Sequence, residues 1–150
     1  MAEVRLEAAR ATRNLLLTLS GSPALLDDFL ANLRLFRASA KFNLRQTFLY
    51  QCLSLLHPSS EPLFLAHFLG DFISLANDKV VNVRMSLAEV LSLHVKKHGG
   101  GSLFGRCRGL AELVGAMQGD KSRDVREMVA GIEVREVHEP HEEEAKVSGS

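Results

Sequence analysis

One short pattern recurs along the chain and decides what it can fold into. Asp78-Lys79-Val80-Val81-Asn82-Val83-Arg84 lies between two apolar, helix-patterned stretches, and Asp120-Lys121-Ser122-Arg123-Asp124-Val125-Arg126 repeats its form 42 residues later. Lys41-Phe42-Asn43-Leu44-Arg45 is a looser copy 39 residues earlier, and Val4-Arg5 opens a helical run 40 residues before that. Arginines at 5, 45, 84 and 126, each preceded by Val or Leu, set a period of about forty residues. A fixed period of that size marks a repeat architecture, in which each unit buries its apolar face only against its neighbours. With two helices to a unit, the expectation is all-α, an α-α superhelix rather than a closed globule.

Helical spacing of apolar residues places the elements between these marks. Residues 3–19 carry Val4, Ala8, Ala11, Leu15 and Leu19 on one stripe. Gly21-Ser22-Pro23 breaks that helix, and Pro23 suits the first position of the next. That helix runs to about Phe36 with Leu26, Phe29, Leu30 and Leu33 inward, and 43–56 follows with Leu44, Phe48, Cys52, Leu55 and Leu56. His57-Pro58 stops it, because proline cannot continue a helix. A helix over 61–76 presents Leu65, Phe68, Leu69, Phe72, Ile73 and Ala76. Its partner presents Val80, Val83, Leu87, Val90, Leu91 and His94.

After the connector Gly99-Gly100-Gly101-Ser102, a helix over 103–117 turns Leu110, Leu113, Val114 and Met117 inward, weakened by Gly105, Gly109 and Gly115. A last helix over 125–134 carries Val125, Met128, Val129 and Ile132. The predicted organisation is a leading helix (3–19), three helix pairs (23–57, 61–98 and 103–134) and a disordered acidic tail (135–150). The apolar stripe of the leading helix is a poor cap for a stack. The expectation is therefore a segment of a longer solenoid, or contact with another chain at that end.

Charge and cysteines narrow the function classes. Residues 133–150 hold six Glu against Arg135 and Lys146, a net −4, so the rest of this neutral chain carries +4. A body charge that small does not itself point to nucleic acid. Cys52 and Cys107 stand far apart with no C-x-x-C, which reads as two free thiols in a reduced compartment. No apolar run reaches the roughly 20 residues that span a bilayer. Arg5, Arg10 and Arg13 ahead of Leu15-Leu16-Leu17 loosely suggest a targeting peptide, but Glu3 and Glu7 and the repeat spacing favour a structural helix.

Asp-x-x-x-x-Val-Arg at the head of a second helix, as in Asp78 with Val83-Arg84 and Asp120 with Val125-Arg126, resembles the HEAT repeat. Phe42 to Tyr50 and Ala76 to Ala88 further resemble the scaffold (A) subunits of protein phosphatase 2A and the related regulatory subunit 1 of protein phosphatase 4. Those proteins carry an aromatic residue just before the second helix and an Asn-Val-Arg that opens it. Where they have Trp-Arg, this chain has Phe42-Asn43, and they contain many more repeats than three. The resemblance spans about residues 3–134. It implies a non-catalytic scaffold that holds a 2A- or 4-like phosphatase catalytic subunit and other proteins, in the cytoplasm and also the nucleus, with no cofactor and no membrane. The alternative is a HEAT or armadillo adaptor of another pathway, such as nuclear transport or chromosome organisation.

In such a stack the Asp of one turn reaches the Arg of the neighbouring repeat. Asp78 and Asp120 with Arg45, Arg84 and Arg126 are expected to form a structural ladder of weak, exposed pairs. The turns between paired helices line one ridge, and the resembled proteins hold their catalytic subunit there. The partner-binding candidates are Arg37, Lys41, Phe42, Asn43, Lys79, Asn82, Lys121 and Arg123. Basic side chains beside an aromatic suit an acidic protein surface. His94 and His98 stand four apart, as helical zinc ligands do, but Cys107 is poorly placed as a third. His138 to Glu144 reads as a solvated acidic run. No nucleophile–base arrangement and no phosphate-cradling glycine loop stands out, so the chain reads as a non-enzyme without metal.

Overall fold

The computed structural model describes residues 2–99 and 106–133. Eight α-helices and one 3-10 turn make up the regular structure of the described residues, with no strand among them. They are α1 (Ala2–Leu19), α2 (Pro23–Ala38), α3 (Phe42–Leu55), α4 (Glu61–His67), α5 (Leu69–Ser74), the 3-10 turn (Leu75–Asn77), α6 (Val81–His98), α7 (Arg108–Gln118) and α8 (Arg123–Val129). Leu103 to Gly105 and the acidic tail lie outside the described residues.

Burial follows the expected apolar spacing over most of the chain. Leu30 and Leu33 of α2, Phe48, Cys52 and Leu55 of α3, and Leu110, Leu113, Val114 and Met117 of α7 share one core with Leu87 and Leu91 of α6. α3 packs against α1 and α6, and α6 packs in turn against α8. α2 lies on α3, and α7 lies on α8 and on the 3-10 turn. Because α6 is enclosed by several helices, its buried set runs well round the helix, from Val83 through Ser86 and Ala88 to His94.

Four expectations are corrected. The helix over 103–117 is interrupted at Cys107, whose φ and ψ of −113° and 104° are extended, and α7 starts at Arg108. The buried face of α1 is not the stripe of Val4, Ala8, Ala11 and Leu15. Ala9 and Leu16 are buried, while Val4 is 64% and Leu15 45% exposed. The single helix over 61–76 divides at Phe68, whose φ and ψ of −120° and −18° leave the helical region. Phe68 N–H still donates to the Phe64 carbonyl and Phe72 N–H to the Phe68 carbonyl, so these two bonds bridge the division. The break serves the rings. Phe64 packs edge-on to Phe72 at 5.4 Å, while Phe68 reaches across to Phe48 at 6.1 Å. Finally, α8 starts at Arg123 and stops at Val129 rather than running to 134. Gln118 Nε2 donates to the Val129 and Ile132 carbonyls and so closes the helix end, keeping Ile132 buried.

The two helical glycines of α7 differ in their surroundings. A Cβ on Gly115 would meet nothing within 4 Å, whereas one on Gly109 would meet Ile73 Cδ1 at 3.2 Å. Gly115→Ala is therefore expected to stabilise the protein by about 0.4–1 kcal/mol through the unfolded chain. Gly109→Ala should gain less, because Ile73 must shift. Urea denaturation of the two variants checks the difference, and equal gains would contradict it.

A recurring turn with an exposed basic row

The turn ahead of α3, α6 and α8 is built three times from the same hydrogen bonds. Asp78 Oδ1 accepts from Val80 N–H at 2.9 Å, and Asp120 Oδ1 from Ser122 N–H at 2.8 Å. Ser39 Oγ accepts from Lys41 N–H at 3.2 Å in the same way. A short polar side chain bonding the amide two residues on is a compact turn former. Each helix then starts after an extended residue of matching dihedrals: Lys41 at −80° and 116°, Val80 at −89° and 117°, Ser122 at −87° and 127°.

The first-turn arginine of each helix grips its own turn. Arg45 Nη1 donates to the Ser39 carbonyl at 2.8 Å, Arg84 Nη1 to the Asp78 carbonyl at 2.8 Å, and Arg126 Nη1 to the Asp120 carbonyl at 2.6 Å. Two of these arginines also reach forward to the next turn. Arg45 meets both oxygens of Asp78, at 2.7 and 3.1 Å, and Arg84 meets both oxygens of Asp120, at 3.0 and 3.4 Å. The ladder thus has two rungs, and they are not exposed as expected. The side chains are 10% and 8% accessible in the first pair and 5% and 9% in the second. Burial alone would raise both carboxyl pKa values. At Asp78 the hydrogen bonds from Arg45 and Val80, helped by the charges of Arg45 and Arg84, outweigh it and hold the group below its ordinary range. Asp120 is lowered against its burial by the Ser122 amide, the Arg84 hydrogen bond and the charges of Arg84 and Lys121.

This construction leaves a row of side chains outside. Lys41, Phe42, Asn43, Lys79, Asn82, Lys121 and Arg123 are all exposed at the heads of α3, α6 and α8. Phe42 keeps 44% of its surface in solvent at the first position of α3. Arg123 pairs with Glu127 one turn on at 2.7 Å, with both side chains well exposed. Backbone oxygens of the row also work inward, since the Asn82 carbonyl accepts from Gln46 Nε2 and Ser86 Oγ. Arg37 does not belong to the row. It sits half-buried at the end of α2, donating to Ser74 Oγ at 2.9 Å and facing Asp71 at 3.4 Å, so it ties α2 to α5. Val81 was not among the expected contacts, yet it occupies the position of Phe42 on α6 and is 38% exposed. A recess of about 330 Å³ lies between the second and third turns, lined by Ala76, Asp78, Arg84, Met117, Asp120 and Lys121.

The charge of the row runs against local helix electrostatics. Helix N-termini carry partial positive charge and favour carboxylates in the first turn. α3 and α6 have no acidic residue there, and lysines stand beside each start. Cations at these positions contribute nothing to helix stability, and the lysine-flanked heads of α3 and α6 attract anions, whereas α8 carries the exposed Asp124 in its first turn. Among the described residues no group of three or more His, Cys, Asp or Glu side chains is arranged to hold a metal, and no helix is long and apolar enough to cross a membrane. Cys52 is buried and Cys107 half-buried, both as free thiols. No family model, curated protein or solved structure matches the chain.

Removing one partner of a rung strands a buried charge. Arg84→Ala is expected to destabilise the fold by about 3–5 kcal/mol, while Lys79→Ala, next to Asp78 but exposed, should stay within about 0.5 kcal/mol. Chemical denaturation measures both, and a small loss for Arg84→Ala would show that the rungs are dispensable. Acid should act in two windows. His94 is buried, and burial, with the charges of His98 and Lys97, lowers its pKa to about 4. The unfolded chain therefore takes up a proton on His94 near pH 6.5 that the folded chain refuses until about pH 4. Stability should fall across that interval and fall again below it as Asp78 and Asp120 protonate. His94→Gln should flatten the first decline only, as read by melting temperature against pH.

Proposed function

We propose that the helix pairs form a HEAT-repeat solenoid and that the protein is a non-catalytic scaffold whose turn row docks a partner protein. The observation that carries this reading is the threefold turn. The same side-chain-to-amide bond, the same extended residue and the same arginine grip recur at Ser39, Asp78 and Asp120. Such construction ties successive helix heads together and leaves the side chains of their first residues in solvent. The partner surface that suits this row is acidic with an apolar centre. Lys41, Lys79 and Lys121 provide the charge, and Phe42 with Val81 provides the anchor.

The resemblance of Phe42 to Tyr50 and Ala76 to Ala88 to phosphatase scaffolds makes the catalytic subunit of a 2A- or 4-like phosphatase the first partner to test. Pull-down of purified phosphatase 2A and 4 catalytic subunits on the full chain is expected to capture one of them. Phe42→Ala with Lys79→Ala should cut that capture by at least about tenfold, since an anchor truncation costs more than 1 kcal/mol. Far-UV circular dichroism should not change, because both side chains are exposed. Capture of neither subunit by folded protein would leave an adaptor of another pathway as the reading. Loss of helicity in the double variant would show that these residues are structural.

A further inference from the structure

The far ends of α3 and α6 enclose a second basic site. With α1 they line a cavity of about 400 Å³, within the size range of small-molecule sites. Arg10 and Arg13 enter from α1, and Lys96 and Lys97 from α6. Three imidazoles, His57, His94 and His98, complete the polar wall, and Leu6, Leu53 and Leu93 form an apolar one. Among the described residues no Asp or Glu lines the cavity. Glu7 pairs with Arg10 of the lining at 3.2 Å, where both are largely solvated.

Two groups of the lining, Arg13 and Ser54, stand without a partner among the described residues. Helix-end electrostatics account for Lys96 and Lys97 at the C-terminus of α6. They do not account for Arg10 and Arg13, which α1 brings to the same place. Arg13 is half-buried without a hydrogen bond or ion pair among the described residues. Ser54 Oγ, also in the lining, is buried without a hydrogen-bond partner. His57 is held in a defined orientation. Ser60 Oγ donates to the Leu55 and His57 carbonyls and fixes the turn, and Ser59 N–H donates to His57 Nδ1 at 3.2 Å. With Nδ1 accepting, the neutral ring carries its proton on Nε2 as a donor. His98 stands 6.3 Å from His57 and 4.8 Å from His94, ring to ring.

We infer that this cavity binds a small phosphorylated molecule with an apolar portion. Arg13, Lys97 and the His57 imidazole would take the phosphate, and Leu6, Leu53 and Leu93 the apolar part. Folding gains nothing from gathering these cations, and an anion relieves their repulsion. The pKa of His57 is lowered by burial and then by the charges of Arg13, Lys97 and His98, which is the field a bound phosphate reverses. Bidentate arginine and a neutral imidazole donor suit phosphate oxygens. The site lies at the opposite ends of α3 and α6 from the turn row, so the inference stands apart from the scaffold reading.

The test is an NMR titration of the histidine side-chain resonances of the full chain at constant ionic strength, with inorganic phosphate and phenyl phosphate as probes. Both should shift His57 and His98 saturably, and phenyl phosphate should bind about tenfold more tightly because its ring is buried. Arg13→Glu with Lys97→Glu should abolish saturation, while Lys121→Glu, in the turn row, should leave it intact. If the double reversal does not fold, Arg13→Gln with Lys97→Gln is expected to weaken binding by at least about tenfold, the loss of one charge-assisted contact. Non-saturating shifts with both probes, or unchanged binding in the folded variant, would overturn the inference. A phosphotyrosyl peptide that binds more tightly than phenyl phosphate would also overturn it, by making the ligand a protein.

Discussion

The bidentate contact between an arginine at the head of one helix and an aspartate in the following turn is the constraint on which the rest of the arrangement depends. Arg45 with Asp78 and Arg84 with Asp120 are nearly excluded from water, so each charge relies on its partner. Their contribution to net stability is modest, because desolvation offsets most of the attraction. The apolar core of some two dozen buried residues supplies the main driving force. Apolar packing alone, however, tolerates a helix sliding by a turn. A forked guanidinium on a carboxylate does not, since a slip of one residue breaks both bonds. Each rung fixes α3 against α6, or α6 against α8, at the helix heads.

The same arginines hold two jobs that reinforce each other. One nitrogen closes the turn on the carbonyl six residues back, and the other two reach forward to the next turn. The aspartate likewise bonds the amide two residues on and receives the neighbour's guanidinium. Ser39 shows the division of labour. Its hydroxyl closes the turn through a longer bond than the carboxylates make, but it cannot receive an ion pair. Turn formation and turn-to-turn locking are therefore separable, and only the second needs the acid.

Legibility in the sequence followed locality. Turns, helix heads and the interiors of α3, α6 and α7 could be read because short-range chemistry sets them. The ladder could be read because its members recur in register. Ser39 escaped notice because a search for aspartate passes over a serine doing half the work. The face of α1 was misread because Ala8-Ala9 and Leu15-Leu16-Leu17 offer adjacent stripes of equal helical quality, and only packing against α3 selects Ala9 and Leu16. Arg37 read as a ridge residue because Asp71 and Ser74, its partners, lie over thirty residues away. The division at Phe68 has no local mark, and the ring it packs against, Phe48, lies on another helix. The cavity left no local signature, since α1, α3 and α6 each give it only part of one face.

Electrostatics at the two ends of α3 and α6 separate folding requirements from other uses. At a rise of about 1.5 Å per residue, a helix the length of α3 holds its ends about 20 Å apart. The C-terminal end carries partial negative charge, so lysines and histidines belong there on stability grounds, and only the additional arginines of α1 exceed that need. At the N-terminal end the same field disfavours cations, yet Lys41, Lys79 and Lys121 stand at successive helix heads. Both ends therefore hold more positive charge than the fold asks for. In each case the surplus comes from cationic side chains that the ladder and the core do not use.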